Sequence, residues 1–301
     1  MRRNKSETTV DIASASGLTD ERKGADVTVE QNAIDEQNAA FWNTLCGTEL
    51  AISLGITDRS PASLKKFDDW YFDFYPYLFR HIPFEAMRGR SVLEVGLGYG
   101  TVSQRICEVG ARYNGLDIAE GPVEMVNYRL RALGLPGRAQ IGNILHASFA
   151  DESFDFIVAI GCYHHTGNIL RAIAESWRIL RPGGTLVVMV YNAFSYRRWI
   201  AAPWTTARFL IDDFLGFGSA LAGGERDRAA YDVDTMGQAA PSTAFVTRRS
   251  LGRMCSNFRS FSARLENIDQ ERPFATRKRS DLLRTAWPRI VGLDIYACAQ
   301  K

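Results

Sequence analysis

Residues suited to metal or thiol chemistry are scarce in this chain of 301 residues, which has four histidines and five cysteines. Cys46, Cys107, Cys162, Cys255 and Cys298 show neither metal-ligand spacing nor an even disulfide framework, and such a dispersed set suits a reducing compartment. No metal site is expected. No stretch approaches the ~18 consecutive apolar residues of a membrane span, so no membrane partner is expected. Residues 1–29 are polar and lack the apolar core of a signal peptide; they read as a disordered tail. A cytoplasmic location follows as the expectation. A large excess of one charge is also missing: the formal net charge is +2, which gives no global polycation for nucleic acid. A hydrophobic content of 46% with 23% charged residues is ordinary for a globular protein of one or two domains.

What the chain does have is Ser91-Val92-Leu93-Glu94-Val95-Gly96-Leu97-Gly98-Tyr99-Gly100-Thr101. The first half reads as a buried parallel strand. Gly96, Gly98 and Gly100 then allow a sharp turn and a close approach to a ligand. Val102, Ile106 and Val109 follow at helical spacing, and Gly110 supplies a stop. A second strand, Arg112 to Leu116, ends in Asp117, about 20 residues beyond Gly96, where a carboxylate can accept hydrogen bonds from two ribose hydroxyls. The sixth position of a G-x-G-x-x-G loop would be Thr101, so the loop is not of the dinucleotide type, and a dehydrogenase is disfavoured.

The rest of the core continues in βα alternation. A helix from Pro122 carries Val123, Val126, Leu130 and Leu133 on one face and ends at Gly134 and Pro136. A short strand, Arg138 to Ile141, leads to Gly142-Asn143-Ile144. Ser153 to Ile160 is a fourth strand with Gly161-Cys162-Tyr163-His164-His165 at its tip, where open α/β sheets bind ligands. A helix through Ile169, Ile173 and Leu180 and the turn Arg181-Pro182-Gly183-Gly184 lead into a fifth strand, Thr185 to Val190.

G-x-G-x-G after an acid-bearing strand resembles motif I of the class I S-adenosylmethionine (SAM)-dependent methyltransferases. Together with Asp117, Phe154-Asp155, His164-His165 and Leu180-Arg181-Pro182-Gly183-Gly184, it strongly resembles the bacterial type-11-like members over roughly Ser91 to Asn192. The resemblance implies a Rossmann-like, doubly wound seven-stranded α/β sheet with an antiparallel last strand. It implies SAM as cofactor and S-adenosylhomocysteine as product. By resemblance, Glu94 serves the donor's ammonium, the glycines pass close to its methionine and ribose, and Asp117 with Ile118 holds the ribose. The family commonly has an acid after the third strand for the adenine amino group. Here that position is Asn143, followed by Ile144, and the Asn143 side-chain carbonyl can still accept the bond. Gly161 and Cys162 would border the methionine moiety. Cys162 reads as a small apolar neighbour, since no partner that would activate its thiol is apparent.

Outside that core, residues 30–88 read as an N-terminal helical and aromatic segment, with a helix through Ala40, Phe41, Leu45 and Leu50. Phe67 to Phe79 is the densest aromatic stretch, and two readings stand for it. It is a helix burying its rings in the core, or a lid in which Tyr71 or Tyr75 offers a hydroxyl to cofactor or acceptor. Residues 193–247 are too long for an ordinary connection and read as a cap that builds an acceptor pocket. A helix near Ser250 to Phe258 and strands at Ser260 to Ile268 and Ile290 to Ala299 return the chain to the core sheet over residues 248–301.

His164 and His165 are the general-base candidates, because imidazole titrates near neutrality; the alternative is that one caps a helix or packs against the cap. Tyr191, Arg197 and Trp199 are acceptor-site candidates. Arginine pairs (Arg197 with Arg198, Arg248 with Arg249) suit an anionic acceptor or, more simply, a solvated surface. The reading that results is methyl transfer to a small-molecule acceptor, at oxygen first, with nitrogen or carbon as the other options. A macromolecular methyltransferase and a non-catalytic SAM-binding protein are the alternatives. Gly161-Cys162-Tyr163-His164 is unlike the Asn-Pro-Pro-Tyr motif of amino-methylating nucleic-acid enzymes, so no nucleic-acid partner is expected.

Overall fold

A computed structural model describes residues 29–43, 48–234 and 236–301. The tail expected over residues 1–29 lies outside these residues except for Val29, which is helical, and Leu45 of the expected N-terminal helix lies outside them as well.

Seven strands form one sheet: β1 (Ser91–Val95), β2 (Arg112–Asp117), β3 (Arg138–Ile141), β4 (Phe154–Ile160), β5 (Leu180–Tyr191), β6 (Ser260–Glu266) and β7 (Asp294–Gln300). Their order is β3-β2-β1-β4-β5-β7-β6. The first five are parallel, and β7 runs antiparallel to both β5 and β6. The expected seven-stranded, doubly wound α/β sheet with an antiparallel last strand is therefore present.

Successive side chains on a strand face opposite sides, and this alternation builds two cores. Leu93, Ile157, Ala159, Leu186 and Val188 pack on one face, beneath the helix α6 (Ile169–Ile179). Val92, Val158 and Val187 pack on the other, beneath α4 (Thr101–Glu108) and α5 (Glu120–Ala132). Such two-sided burial is why the central strands read as nearly continuous apolar runs.

Several boundaries differ from the sequence reading, two of them for a clear structural reason. The fifth strand begins at Leu180, which pairs with Phe154 before a register shift brings Thr185 opposite Phe156. Arg181–Gly184 therefore bulges within the strand instead of preceding it. The last strand starts at Asp294, because Trp287–Val291 forms a helical turn with Pro288 in its first turn.

Residues 29–43 are helical (α1). The aromatic stretch forms α3 (Pro61–Phe74), opened by Pro61 and capped by Ser60, whose hydroxyl accepts from the Ser63 amide. Leu64 and Phe67 of this helix are buried. After β5 the chain forms α7 (Tyr196–Ala201), α8 (Pro203–Phe214) and a two-residue ribbon pairing Leu221–Ala222 with Ala244–Phe245. Among the described residues, no helix is long and apolar enough to cross a membrane.

Candidate active site

β1 and β4 are neighbours in the sheet whose chain connections leave in opposite directions, and ligands of open α/β sheets bind at the carboxyl ends of such strands. A cavity of about 580 Å³ opens at this point. Gly96 and Gly98 after β1, Asp117 and Ile118 after β2, Gly142, Asn143 and Ile144 after β3, and Gly161, Cys162, His165 and Thr166 after β4 all line it. A smaller adjoining cavity of about 190 Å³ is lined by Glu94 and shares Gly96, Gly98, Tyr71 and Tyr75 with the first.

The glycine loop is shaped for close approach. Gly96 has φ +77°, and a Cβ there would lie 2.5 Å from the Cys162 Cβ. Gly100, also expected to touch the cofactor, lines neither cavity; its missing Cβ makes room for Arg129 and Val126 of α5. Its role is therefore to seat the helix, a correction to the sequence reading.

Glu94 is buried, and Ser103 Oγ (2.5 Å) and Tyr113 OH (2.7 Å) both donate to its Oε2, leaving Oε1 without a donor among the described residues. Burial pushes this carboxyl up to about 7, against the pull of the two hydroxyls. Asp117 accepts from the Leu97 amide at Oδ2 (2.7 Å) and the Ala119 amide at Oδ1 (2.9 Å), which fixes its plane at the cavity wall. Burial raises its carboxyl while those amides oppose the shift. Cys162 donates to the Val95 carbonyl (3.0 Å), and burial raises its thiol well above the ordinary range, so it stays protonated.

The two histidines separate. His165 lines the cavity and His164 does not. His164 is fully buried with both ring nitrogens unpartnered among the described residues, and it packs between the tilted rings of His165 and Tyr191 at centroid distances of 4.1 and 3.9 Å. Burial holds it neutral, with the neighbouring His165 adding to the effect. As a base facing the ligand, His164 is corrected: its ring is a packing element behind His165.

At His165, Nδ1 lies 2.8 Å from the Ser242 carbonyl, an acceptor that places the proton on Nδ1. Nε2 is buried without a hydrogen bond, 3.5 Å from Asp232 Oδ2. Tyr191 donates its hydroxyl to Asp232 (2.9 Å). Burial lowers the His165 imidazole, with Asp232 and the Ser242 carbonyl opposing, and raises the Asp232 carboxyl, with His165 and Tyr191 opposing.

The remaining acceptor candidates divide in the same way. Tyr71 and Tyr75 line both cavities. Tyr191 reaches the larger one only through Asp232. Arg197 is committed to Asp269 (2.8 Å) and Glu271, and Trp199 packs beside Phe194; neither lines either of these two cavities.

Sequence reasoning missed Asp35, Asn38, Trp42, Tyr231 and Asp232, all of which line the larger cavity. They lie outside the β-strand tips, on α1 and in the segment after β5, where no motif or periodicity marks a site. A weak signal existed: Asp35, Asn38 and Trp42 recur at i, i+3 and i+7, one face of a helix.

Residues 93–188 match the family described as methyltransferase domain. A demethylmenaquinone methyltransferase from Tropheryma whipplei is 32% identical over 117 residues, covering 38% of this chain and 46% of that protein. A ubiquinone biosynthesis O-methyltransferase from a Methylobacterium species is 26% identical over 108 residues, covering 36% of this chain and 43% of that protein. The match thus spans less than half the length of either relative. A Listeria monocytogenes structure assigned as a SAM-dependent methyltransferase superposes with a TM-score of 0.51 at 12% identity, over 76% of this chain and 96% of that one, a likeness of fold. Family match, strand order and glycine loop together define the class. Residues 93–188 are thus similar to class I methyltransferase domains, and the cofactor that this likeness implies is SAM.

The cavity's residues fit that cofactor. Among the described residues, no donor reaches Glu94 Oε1, and the buried Asn38 Oδ1 in the wall has no partner.

Proposed function

We propose that this protein methylates a small-molecule acceptor, with transfer to oxygen assisted by His165. One observation carries the proposal: a neutral, cavity-facing imidazole whose Nδ1 is tied to a carbonyl and whose Nε2 is unpartnered beside a carboxyl. That tautomer leaves the Nε2 lone pair free to take a proton from an acceptor hydroxyl. Asp232, held by Tyr191, stabilises the imidazolium that forms.

SAM supplies the electrophilic methyl group on a sulfonium with an excellent leaving group. Glu94 would face its ammonium, Asp117 its ribose hydroxyls, and Ile118, Asn143 and Ile144 its base, with Gly161 and Cys162 along the methionine moiety. The protein's task is then alignment, exclusion of water and removal of one proton. Residues 30–88 act as the lid through Tyr71 and Tyr75, and residues 193–247 as the cap through Tyr231 and Asp232. A small-molecule acceptor is supported by the cavity of about 580 Å³ and by the quinone-pathway names of the two relatives.

The test is to incubate the protein and methyl-labelled SAM with a fractionated cell extract, beside the His165→Ala variant. The expected result is label in the small-molecule fraction, with turnover lower in the variant by about 10²–10⁴-fold and S-adenosylhomocysteine affinity retained. Label in RNA or protein overturns the acceptor class, and undiminished turnover in the variant overturns the role of His165.

A further inference from the structure

In the larger cavity, the tip of β3 carries the neutral Asn143 and no carboxylate for a purine amino group. The Asn143 side-chain oxygen already caps the following turn, accepting from the Leu145 amide at 2.9 Å. Its amide nitrogen points to another helix, donating to Asp35 Oδ2 at 2.6 Å. Asp35 is held a second time by Gln31, which donates to Oδ1 at 2.9 Å and itself belongs to the preceding turn of α1. Two donors thus orient a carboxylate at the cavity wall, and each of its oxygens keeps a further lone pair.

The neighbourhood is chemically consistent with a purine. Leu116, Ile118 and Ile144 line the same end and offer apolar surface for a flat ring. Asp117 lies there too, with one loop amide on each oxygen, but it sits at the ribose position. Asp232 belongs to the opposite end, beside His165. Among the described cavity-lining residues, Asp35 is the carboxylate available to the edge of the base.

We propose that Asp35 reads the exocyclic amino group of the cofactor's adenine, so that α1, outside the matched methyltransferase domain, completes the cofactor site. This rests on the SAM-dependent reading above. The same helix face continues to the acceptor end. One turn on, Asn38 donates to the His165 carbonyl (2.7 Å), and two turns on the Trp42 ring lies 4.6 Å from the His165 ring. Gln31 and Asn43 secure the helix at either end through the Thr166 carbonyl (2.8 Å) and the Gly121 amide (2.6 Å). Adenine recognition at Asp35 therefore fixes the helix that also braces His165, which couples cofactor binding to formation of the acceptor pocket.

The test uses two ligands, S-adenosylhomocysteine and S-inosylhomocysteine, in which a carbonyl oxygen replaces the amino group. A site built to accept an N–H rejects an analogue that presents an acceptor instead. Calorimetry on the wild type should favour the adenosyl ligand by about tenfold or more. In Asp35→Asn, whose side chain both donates and accepts, the preference should fall to within about threefold. Amide exchange supplies a readout independent of the ligand pair: S-adenosylhomocysteine should slow exchange across residues 31–43 in the wild type and fail to do so in Asp35→Ala. Wild-type discrimination retained by Asp35→Asn, with tight adenosyl binding, overturns the role of Asp35 and leaves the cofactor assignment intact. A wild type that binds neither ligand overturns the cofactor assignment itself.

Discussion

His165 and Asp232 show how burial sets the chemistry of a single side chain. Desolvation lowers the imidazole, while the Asp232 charge and the Ser242 carbonyl oppose that shift. A general base must be unprotonated, so activity is present above its pKa and lost as pH falls through it. The acid limb of kcat/KM should therefore lie below the ordinary histidine value of about 6.5. Asp232→Asn removes one of the two influences that hold the pKa up, so the limb should move further toward acid while kcat falls. A pH–rate profile of both proteins checks this, and a limb that moves upward would show that Asp232 does not face His165 in solution. Asp117 gives a binding prediction of the same kind. Asp117→Ala removes the carboxylate proposed for the ribose hydroxyls, and charged hydrogen bonds of this type contribute about 1.5–3 kcal/mol. Calorimetry should show S-adenosylhomocysteine affinity reduced by at least about tenfold; unchanged affinity would place the ribose elsewhere. The variant also strips the Leu97 and Ala119 amides of their acceptor, so its melting temperature should fall too.

Among the elements, the glycine loop between β1 and α4 has the least room for change. An alanine at Gly96 would adopt a left-handed φ of +77° and place its Cβ 2.5 Å from that of Cys162. The clash is with a β-carbon next to backbone, which cannot swing aside. Gly96→Ala should therefore cost about 1–3 kcal/mol from overpacking, with backbone strain in addition. Cys162→Gly on that background should recover part of the loss by removing the opposing Cβ, and denaturant melts of the two variants measure the recovery. Strand, loop and Asp117 were legible in sequence because close backbone approach demands glycine and a buried strand demands an apolar run. The helices α4 and α6 were legible for the same local reason, their apolar spacing. The site residues of α1 and of the segment after β5 were not. Asp35 meets Asn143, and Asp232 meets His165, across long stretches of chain, and no local pattern encodes such a meeting. His164 and His165 were indistinguishable in sequence, since adjacency carries no information on which ring the packing of Tyr191 turns inward.

For the whole molecule, two buried carboxyls set an unusual direction for stability against pH. Glu94 on β1 and Asp294 at the start of β7 are both pushed up to about 7, mainly by burial. Both lie close enough to Tyr71 of the aromatic helix to raise its hydroxyl, so β1, β7 and the N-terminal segment meet around them. In the unfolded chain these groups titrate near 4. Between about pH 4 and 7 the folded state therefore holds protons that the unfolded state has released, and stability falls as pH rises through that window. Asp155 works in the opposite sense: its carboxyl is held below the ordinary value by the Ser91 amide (2.7 Å) and Arg181 (2.9 Å), although partial burial pulls the other way, and its contribution is lost as pH falls. The buried, neutral His164 and His165 join Asp155 in this second trend, because their lowered imidazoles cost stability as pH falls, so the two trends oppose each other. Asp294→Asn isolates one of them, because the carboxamide oxygen can keep the bond from Asn267 Nδ2 (2.9 Å) and carries no charge to desolvate. The variant should melt close to the wild type near pH 4 and several degrees above it near pH 8, as about 2–4 °C accompanies each kcal/mol in a protein of this size class. Parallel melting curves of the two proteins from pH 5 to 8 would instead mean that Asp294 is already charged and paired in the folded state, with the Arg279 and Arg197 network holding it, and that burial does not govern this end of the sheet.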